Sequence, residues 1–252
     1  LIKNQIVMKT YMFLLLLIIS NLSIAQQKFD HDTWDQALLL NVSDDGNVNY
    51  SGFMRDSSLL YRYFQELSEN TPDETWSRDE RIAYWINAYN AYTIKLIIDT
   101  YPLTSIKDLK DPWDKKFFKI DGEWYSLNEL EHKILRKFGD PRIHFAINCA
   151  SASCPVVWNR AYTSENLQRA LNQQTELFIN DPSKNVITPY VVKVSKIFSW
   201  YKRDFKVNGG DVEEFINRYS KIKISDQNYK GYLDYDWSLN ETNIENSAYV
   251  LD

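Results

Sequence analysis

The chain has 252 residues, 44% hydrophobic and 25% charged, a balance that excludes disordered, collagenous and low-complexity classes. A formal charge of −5 argues against a nucleic-acid binder, and three His with two Cys supply neither a histidine-rich metal site nor a disulfide-framework miniprotein. Aromatic residues are the surplus instead: 8 Trp, 17 Tyr and 12 Phe.

Met8-Lys9-Thr10 precedes a nearly unbroken apolar run over residues 11–19. Ser23 and Ala25 then stand at the −3 and −1 positions of a cleavage site before Gln26, the pattern of a secretory signal. The run is shorter than the roughly 20 residues of a membrane span. The expectation is an export signal over residues 1–25 and a single globular domain over 26–252. That domain is expected in the periplasm or beyond, with no membrane span once the signal is removed.

Residues 29–40 predict a helix, followed by a turn at Asp44-Asp45-Gly46-Asn47. Residues 57–69 predict a second helix, and residues 78–100 the strongest one, closed by Tyr101-Pro102. The face of that helix centred on Ile86, Ile94 and Ile97 also carries Asn87 and Asn90, poor helix formers that need a reason to be there. Either their amides clamp a neighbouring loop, or they line a site. Phe117-Phe118-Lys119-Ile120, Asp121-Gly122 and Glu123-Trp124-Tyr125 spell a β-hairpin, because Asp-Gly supplies the positive φ angles of a tight turn. Ser126-Leu127-Asn128-Glu129 fits a capping box opening a helix to Phe138. Its stripe of Leu127, Leu130, Ile134 and Phe138 carries Glu131 near the middle and His132 at the edge. A carboxylate there needs a partner, so Glu131 either anchors the following segment or orients a histidine.

Residues 142–148 read as a strand that runs into a loop of small residues. Residues 164–180 predict a helix, 190–194 a strand, and 211–219 a last helix before an aromatic tail containing Tyr235-Asp236-Trp237. The fold class expected is α+β: one domain with several helices packed on a small, mainly antiparallel sheet.

The candidate chemistry is confined to residues 144–155, which hold both cysteines and one histidine. A cysteine nucleophile needs a base and a group to orient the base. Cys149 with His144 or His132, backed by Glu131 or an Asn, meets that need. Asn148 and Ser151, with Asn87 and Asn90, are candidate oxyanion or substrate contacts. On a regular strand His144 and Cys149 face opposite sides, since their separation is odd. The dyad therefore requires the strand to end near Asn148, or His132 to be the base. The competing reading bridges Cys149 to Cys154, which an oxidising compartment favours and which removes the nucleophile. Cys149, Cys154, His132 and His144 match no recurrent zinc spacing, so no metal and no cofactor are expected. The chain shows no serine nucleophile elbow, P-loop or dinucleotide fingerprint. His31 reads as bystander surface.

Four ordered blocks carry a family resemblance. They are Tyr84-Trp85-Ile86-Asn87-Ala88-Tyr89-Asn90-Ala91, Leu130-Glu131-His132, Arg142-Ile143-His144-Phe145-Ala146-Ile147-Asn148-Cys149 with Ser153-Cys154-Pro155, and Phe198-Ser199-Trp200-Tyr201 with Asp204-Phe205. Together they resemble domain-of-unknown-function family 547 over about residues 76–205. The resemblance implies no agreed reaction. It does imply that Asn87, Asn90, Glu131, His132, Asn148, Cys149 and Cys154 belong to the family's common pattern. Two functions follow from the residues. One is a cysteine-dependent hydrolase or acyltransferase acting on an amide or ester. The other is a non-enzymatic binding or scaffold protein with a structural Cys149–Cys154 disulfide and exposed aromatics for an unknown cell-envelope partner.

Overall fold

The computed structural model describes residues 28–206, 210–225 and 229–242, so the expected export signal lies outside the described residues. Three helices come first: α1 (Asp32–Asn41), α2 (Tyr50–Arg55) and α3 (Ser58–Glu69). Between α1 and α2, Gly46 holds a positive φ of 80° and lies so close to Val156 that a Cβ would collide with it. The turn thereby sits directly against the segment that follows the cysteines.

Helix α4 (Arg78–Ile98) is the axis of the larger core. Ser77 and Glu80 form a capping box at its start, satisfying two otherwise orphaned backbone donors. From Ile82 to Ile98 every residue but Lys95 is buried. The helix is thus enclosed on all sides rather than along one stripe, and in the same core α1 is joined to α3 by stacked rings, Trp34 on Tyr63, 5.5 Å apart. The hairpin follows as read, with β1 (Phe118–Ile120) antiparallel to β2 (Glu123–Tyr125) and positive φ at Asp121 and Gly122. Phe118 of β1 stacks on Tyr92 of α4 at 3.8 Å.

Two segments differ from expectation. The Ser126–Glu129 capping box forms, but the helix beyond it is a π-helix over Glu129–Ile134 and then a 3-10 helix over Leu135–Phe138. The change of pitch turns the buried face to Leu127, Leu130, Glu131 and Leu135, leaving Ile134 and Phe138 only partly covered. π-helical turns concentrate at functional sites, and this one carries Glu131 and His132. Residues 142–148 are not a strand: Pro141–Phe145 forms a 3-10 helix. The Asp140 side chain accepts the Arg142 N–H at its start and Pro141 presets a helical φ, signals that outweigh the β-branched and aromatic content of the segment.

The second half builds a smaller core. Helices α5 (Leu167–Asn180), α6 (Ile197–Trp200) and α7 (Val212–Tyr219) surround a sheet of order β3 (Val186–Ile187), β4 (Val191–Val194), β5 (Tyr229–Tyr232). Strand β4 pairs antiparallel with β3 and parallel with β5. The fold is therefore α+β, with its strands divided between this mixed sheet and the separate hairpin. Phe145 fills the centre of the smaller core, against Phe178, Phe198, Phe205 and Phe215. The tail after β5 runs back across the molecule, bridging Ser105 through Ser238, Ser151 through Leu239 and Val48 through Glu241. Among the described residues no helix is long and apolar enough to cross a membrane.

Candidate functional site

The cysteine loop hangs from α4 by one side chain. Asn90 Nδ2 donates to the Ala146 carbonyl at 2.9 Å, and its Oδ1 accepts the Asn148 N–H at 2.9 Å. Asn148 then closes the loop from inside, donating to the Pro155 carbonyl at 2.6 Å and accepting the Ala150 N–H at 2.6 Å. Asn240 from the returning tail donates to the same Asn148 oxygen at 3.3 Å. One turn earlier on α4, Asn87 makes an equivalent pair with Tyr162, donating to its carbonyl at 2.7 Å and accepting its N–H at 3.0 Å. The asparagine amides of α4 are thus spent on backbone, which explains their burial in the core. Asn87, Asn90 and Asn148 stand outside the lining of the neighbouring cleft.

Within this loop Cys149 and Cys154 form a disulfide, with an S–S distance of 2.13 Å. Cys154 Sγ accepts from the Cys149 N–H at 3.1 Å, from Ser151 Oγ at 3.2 Å and from the Tyr235 hydroxyl at 3.2 Å. Ser151 therefore addresses the bridge itself. Ala150 adopts a left-handed φ of 59°, a conformation that costs a residue with a Cβ roughly 1–2 kcal/mol and that the Asn148 side chain holds in place.

His144 lies on the short 3-10 helix, buried, with Nε2 2.9 Å from Asp204 Oδ2. The Tyr201 ring stacks on its imidazole at 3.9 Å. Asp204 is held in turn by Arg136, whose Nε and Nη2 reach its two oxygens at 2.6 and 2.8 Å. Burial pushes the Asp204 carboxyl up, but the hydrogen bonds and charges of His144 and Arg136 outweigh it and hold the group well below the carboxylate range. An ionised Asp204 only accepts, so the proton of a neutral His144 is fixed on Nε2 and its lone pair on Nδ1. His132 takes the opposite part. Arg136 Nη1 stands 2.5 Å from its Nδ1, and because arginine only donates, that nitrogen is already engaged as an acceptor. Between the two candidate bases, the geometry leaves His144 with the available lone pair.

These groups converge on one cleft of about 380 Å³, lined by His144, His132, Glu131, Cys149 and Cys154. Its rim is aromatic: Trp200, Tyr235 and Trp237 touch one another with ring centroids 4.6–5.8 Å apart. Glu131 is buried at 6% exposure, and among the described residues its Oε1 has no hydrogen-bond partner. Its carboxylate acts on the hydroxyls of Tyr89 and Tyr201, both pushed well up by burial first and by Glu131 next. Glu131 thus lies in the cleft without being the group that orients His144, and Arg142, on the segment that follows, pairs instead with Asp140 at 2.6 Å.

Sequence reasoning brought Cys149, His144, His132 and Glu131 to one place and missed Asp204, Arg136, Tyr235 and Trp237 as parts of it. Asp204 stood in the last family-like block, and Arg136 lies four residues after His132, both readable signals. The two aromatics arrive from a tail that only tertiary structure directs. His31 is a correction: it is buried, with Nδ1 accepting from the Tyr63 hydroxyl at 2.7 Å and from Asn87 Nδ2 at 3.1 Å. Its bonds brace α1 against α3 and α4, and burial lowers its pKa to about 3. Among the described residues no group of three or more His, Cys, Asp or Glu is placed to hold a metal ion.

Residues 74–179 match the family described as "Protein of unknown function, DUF547", the family the sequence blocks resemble. The match takes in Asn87, Asn90, Glu131, His132, His144, Asn148, Cys149 and Cys154, and ends before the block that carries Asp204. No curated protein and no solved structure matches the chain.

Proposed function

We propose that the protein is an exported cysteine-dependent hydrolase or acyltransferase acting on an amide or ester, competent when the Cys149–Cys154 bridge is open. The observation that carries this reading is that His144, which lines the same cleft as Cys149, is paired with Asp204 at 2.9 Å. An imidazole held by an ionised carboxylate, with its lone pair directed to the other nitrogen, is the base-and-orienter half of a nucleophilic triad. In the open form Cys149 supplies the nucleophile. His144 Nδ1 takes the thiol proton, and Asp204 stabilises the imidazolium that results. Arg136 keeps Asp204 in place and ionised. The hydroxyls of Ser151 and Tyr235, 3.5 and 3.6 Å from Cys149 Sγ, are the donors at hand for an oxyanion formed there. The chemistry is argued from the site alone.

The test uses the reduced full-length protein with a panel of activated esters and small amides. An acyl adduct of the substrate's mass on Cys149, absent in Cys149→Ala, is the expected result. Undiminished turnover by Cys149→Ala would sink the proposal.

A second reading is favoured by the bridge itself. With Cys149 tied to Cys154, the molecule is a binding protein whose aromatic rim, including Trp200 at 48% exposure, receives a cell-envelope partner. The disulfide is also what supports export, since such bonds persist in oxidising compartments. This reading expects no acyl adduct under any redox condition.

A further inference from the structure

The disulfide is held unevenly. Cys154 Sγ is surrounded by the Cys149 N–H, the Ser151 hydroxyl and the Tyr235 hydroxyl at 3.1–3.2 Å. Among the described residues, Cys149 Sγ has only the longer contacts to the same two hydroxyls, 3.5 Å from Ser151 and 3.6 Å from Tyr235. A sulfur in a disulfide is a weak acceptor and gains little from three donors. A thiolate in the same place gains three charge-assisted hydrogen bonds. The two sulfurs also differ in access. Cys154 is 3% exposed, whereas Cys149 is half-buried at the cleft wall. An entering thiolate therefore meets Cys149, and the sulfur that must leave is the one already enclosed by donors. Stability of the leaving thiolate governs both the rate of exchange and its equilibrium.

We propose that the Cys149–Cys154 bridge is a thiol–disulfide exchange site that oxidises dithiols, with Cys149 the attacked sulfur and Cys154 the leaving thiolate. The activity stands on the bridge and is independent of acyl transfer. In the first step the partner's thiolate bonds to Cys149 Sγ, the Cys149–Cys154 bond breaks, and its electron pair remains on Cys154. In the second step the partner's other thiolate attacks the partner sulfur of that mixed disulfide, and Cys149 leaves with the electron pair. The partner loses two electrons and becomes a disulfide. The protein gains the two electrons as two thiols, and the partner's two protons neutralise Cys149 and Cys154.

Neighbouring charges act in both directions. Glu131 acts electrostatically on Tyr235 and opposes a second negative charge in the cleft. Lys184 donates to the Ala152 carbonyl and brings a positive charge to the same loop. The close donors on Cys154 therefore decide the balance, and they are what the test removes.

Full-length protein is equilibrated in mixtures of reduced and oxidised dithiothreitol, alkylated, and weighed for bridged and open forms. Loss of one donor in Tyr235→Phe or Ser151→Ala is expected to shift the exchange constant roughly tenfold toward the bridged form. That is about 30 mV for a two-electron couple. A shift in either folded variant supports the proposal; should Tyr235→Phe disturb the fold, Ser151→Ala decides alone. In parallel, Cys154→Ala incubated with glutathione disulfide should capture glutathione on Cys149 faster than Cys149→Ala captures it on Cys154. Unshifted constants in the folded variants, or faster capture on Cys154, would overturn it.

Discussion

Replacing Asn90 with Ala should detach the cysteine loop from α4. The side chain makes two hydrogen bonds to backbone, to Ala146 O and Asn148 N, both at 2.9 Å. Ala146 and Asn148 are themselves 2% and 3% exposed, so water does not replace the lost partner. Each stranded buried group costs about 1–3 kcal/mol, and the vacated volume adds a smaller amount. The expected loss is about 3–5 kcal/mol, a large share of the 5–15 kcal/mol typical of a domain. Urea denaturation with the bridge intact should show a lower midpoint at unchanged m-value. Asn87→Ala loses a matching pair of bonds to Tyr162 and a third to His31 Nδ1, and serves as the control. It should lose at least as much stability as Asn90→Ala, but only Asn90→Ala should speed reduction of the bridge by dithiothreitol. A loss below about 1 kcal/mol, or equal acceleration in both variants, would refute the assignment of Asn90 as the anchor of the loop.

Three further outcomes follow from the same geometry. His31 has a pKa of about 3 in the folded protein against an ordinary 6.5, so the unfolded chain binds the proton first. Its contribution is complete above pH 6.5 and is lost as pH falls through the window toward 3; at pH 5 the loss is about 2 kcal/mol. The urea midpoint should drop between pH 7 and pH 5, and a His31→Gln variant with the same drop would contradict the reading. Asp204→Asn removes the carboxylate that orients His144, so alkylation of reduced Cys149 by iodoacetamide at pH 7 should slow at least about tenfold; an unchanged rate would detach Asp204 from the site. Opening the bridge frees a loop with a sequence separation of 5, which should lower stability by about 2 kcal/mol, read as a lower Tm after reduction.

Much of the fold was legible because its signals are local. Asp121-Gly122, and Ser126 with Glu129, form the turn and the cap that their residue types announce. The misreadings arose where two local signals compete. Residues 142–148 look like a strand by content, yet Asp140-Pro141 starts a 3-10 helix. The periodicity of residues 127–138 assumed an α-helical pitch; Glu131 is buried as its place in the stripe implied, but the change of pitch buries Leu135 and leaves Ile134 and Phe138 only partly covered. The site was legible in its cysteines, histidines and glutamate, which crowd within a short stretch of chain. Asp204 was legible only as part of the last family-like block; its pairing with His144, across 60 residues of sequence, was not. His31 escaped because a residue near the expected mature start looks exposed until α1 folds over α3.

The most direct test of the acyl-transfer account is the pH dependence of Cys149 alkylation in the bridge-free Cys154→Ala protein, with and without His144→Ala. With His144 present, the rate should rise with an apparent pKa below the ordinary thiol value of about 8.5, and His144→Ala should return it there. A profile that titrates at the ordinary value and ignores His144 would contradict the claim that the cleft holds a cysteine nucleophile and its base.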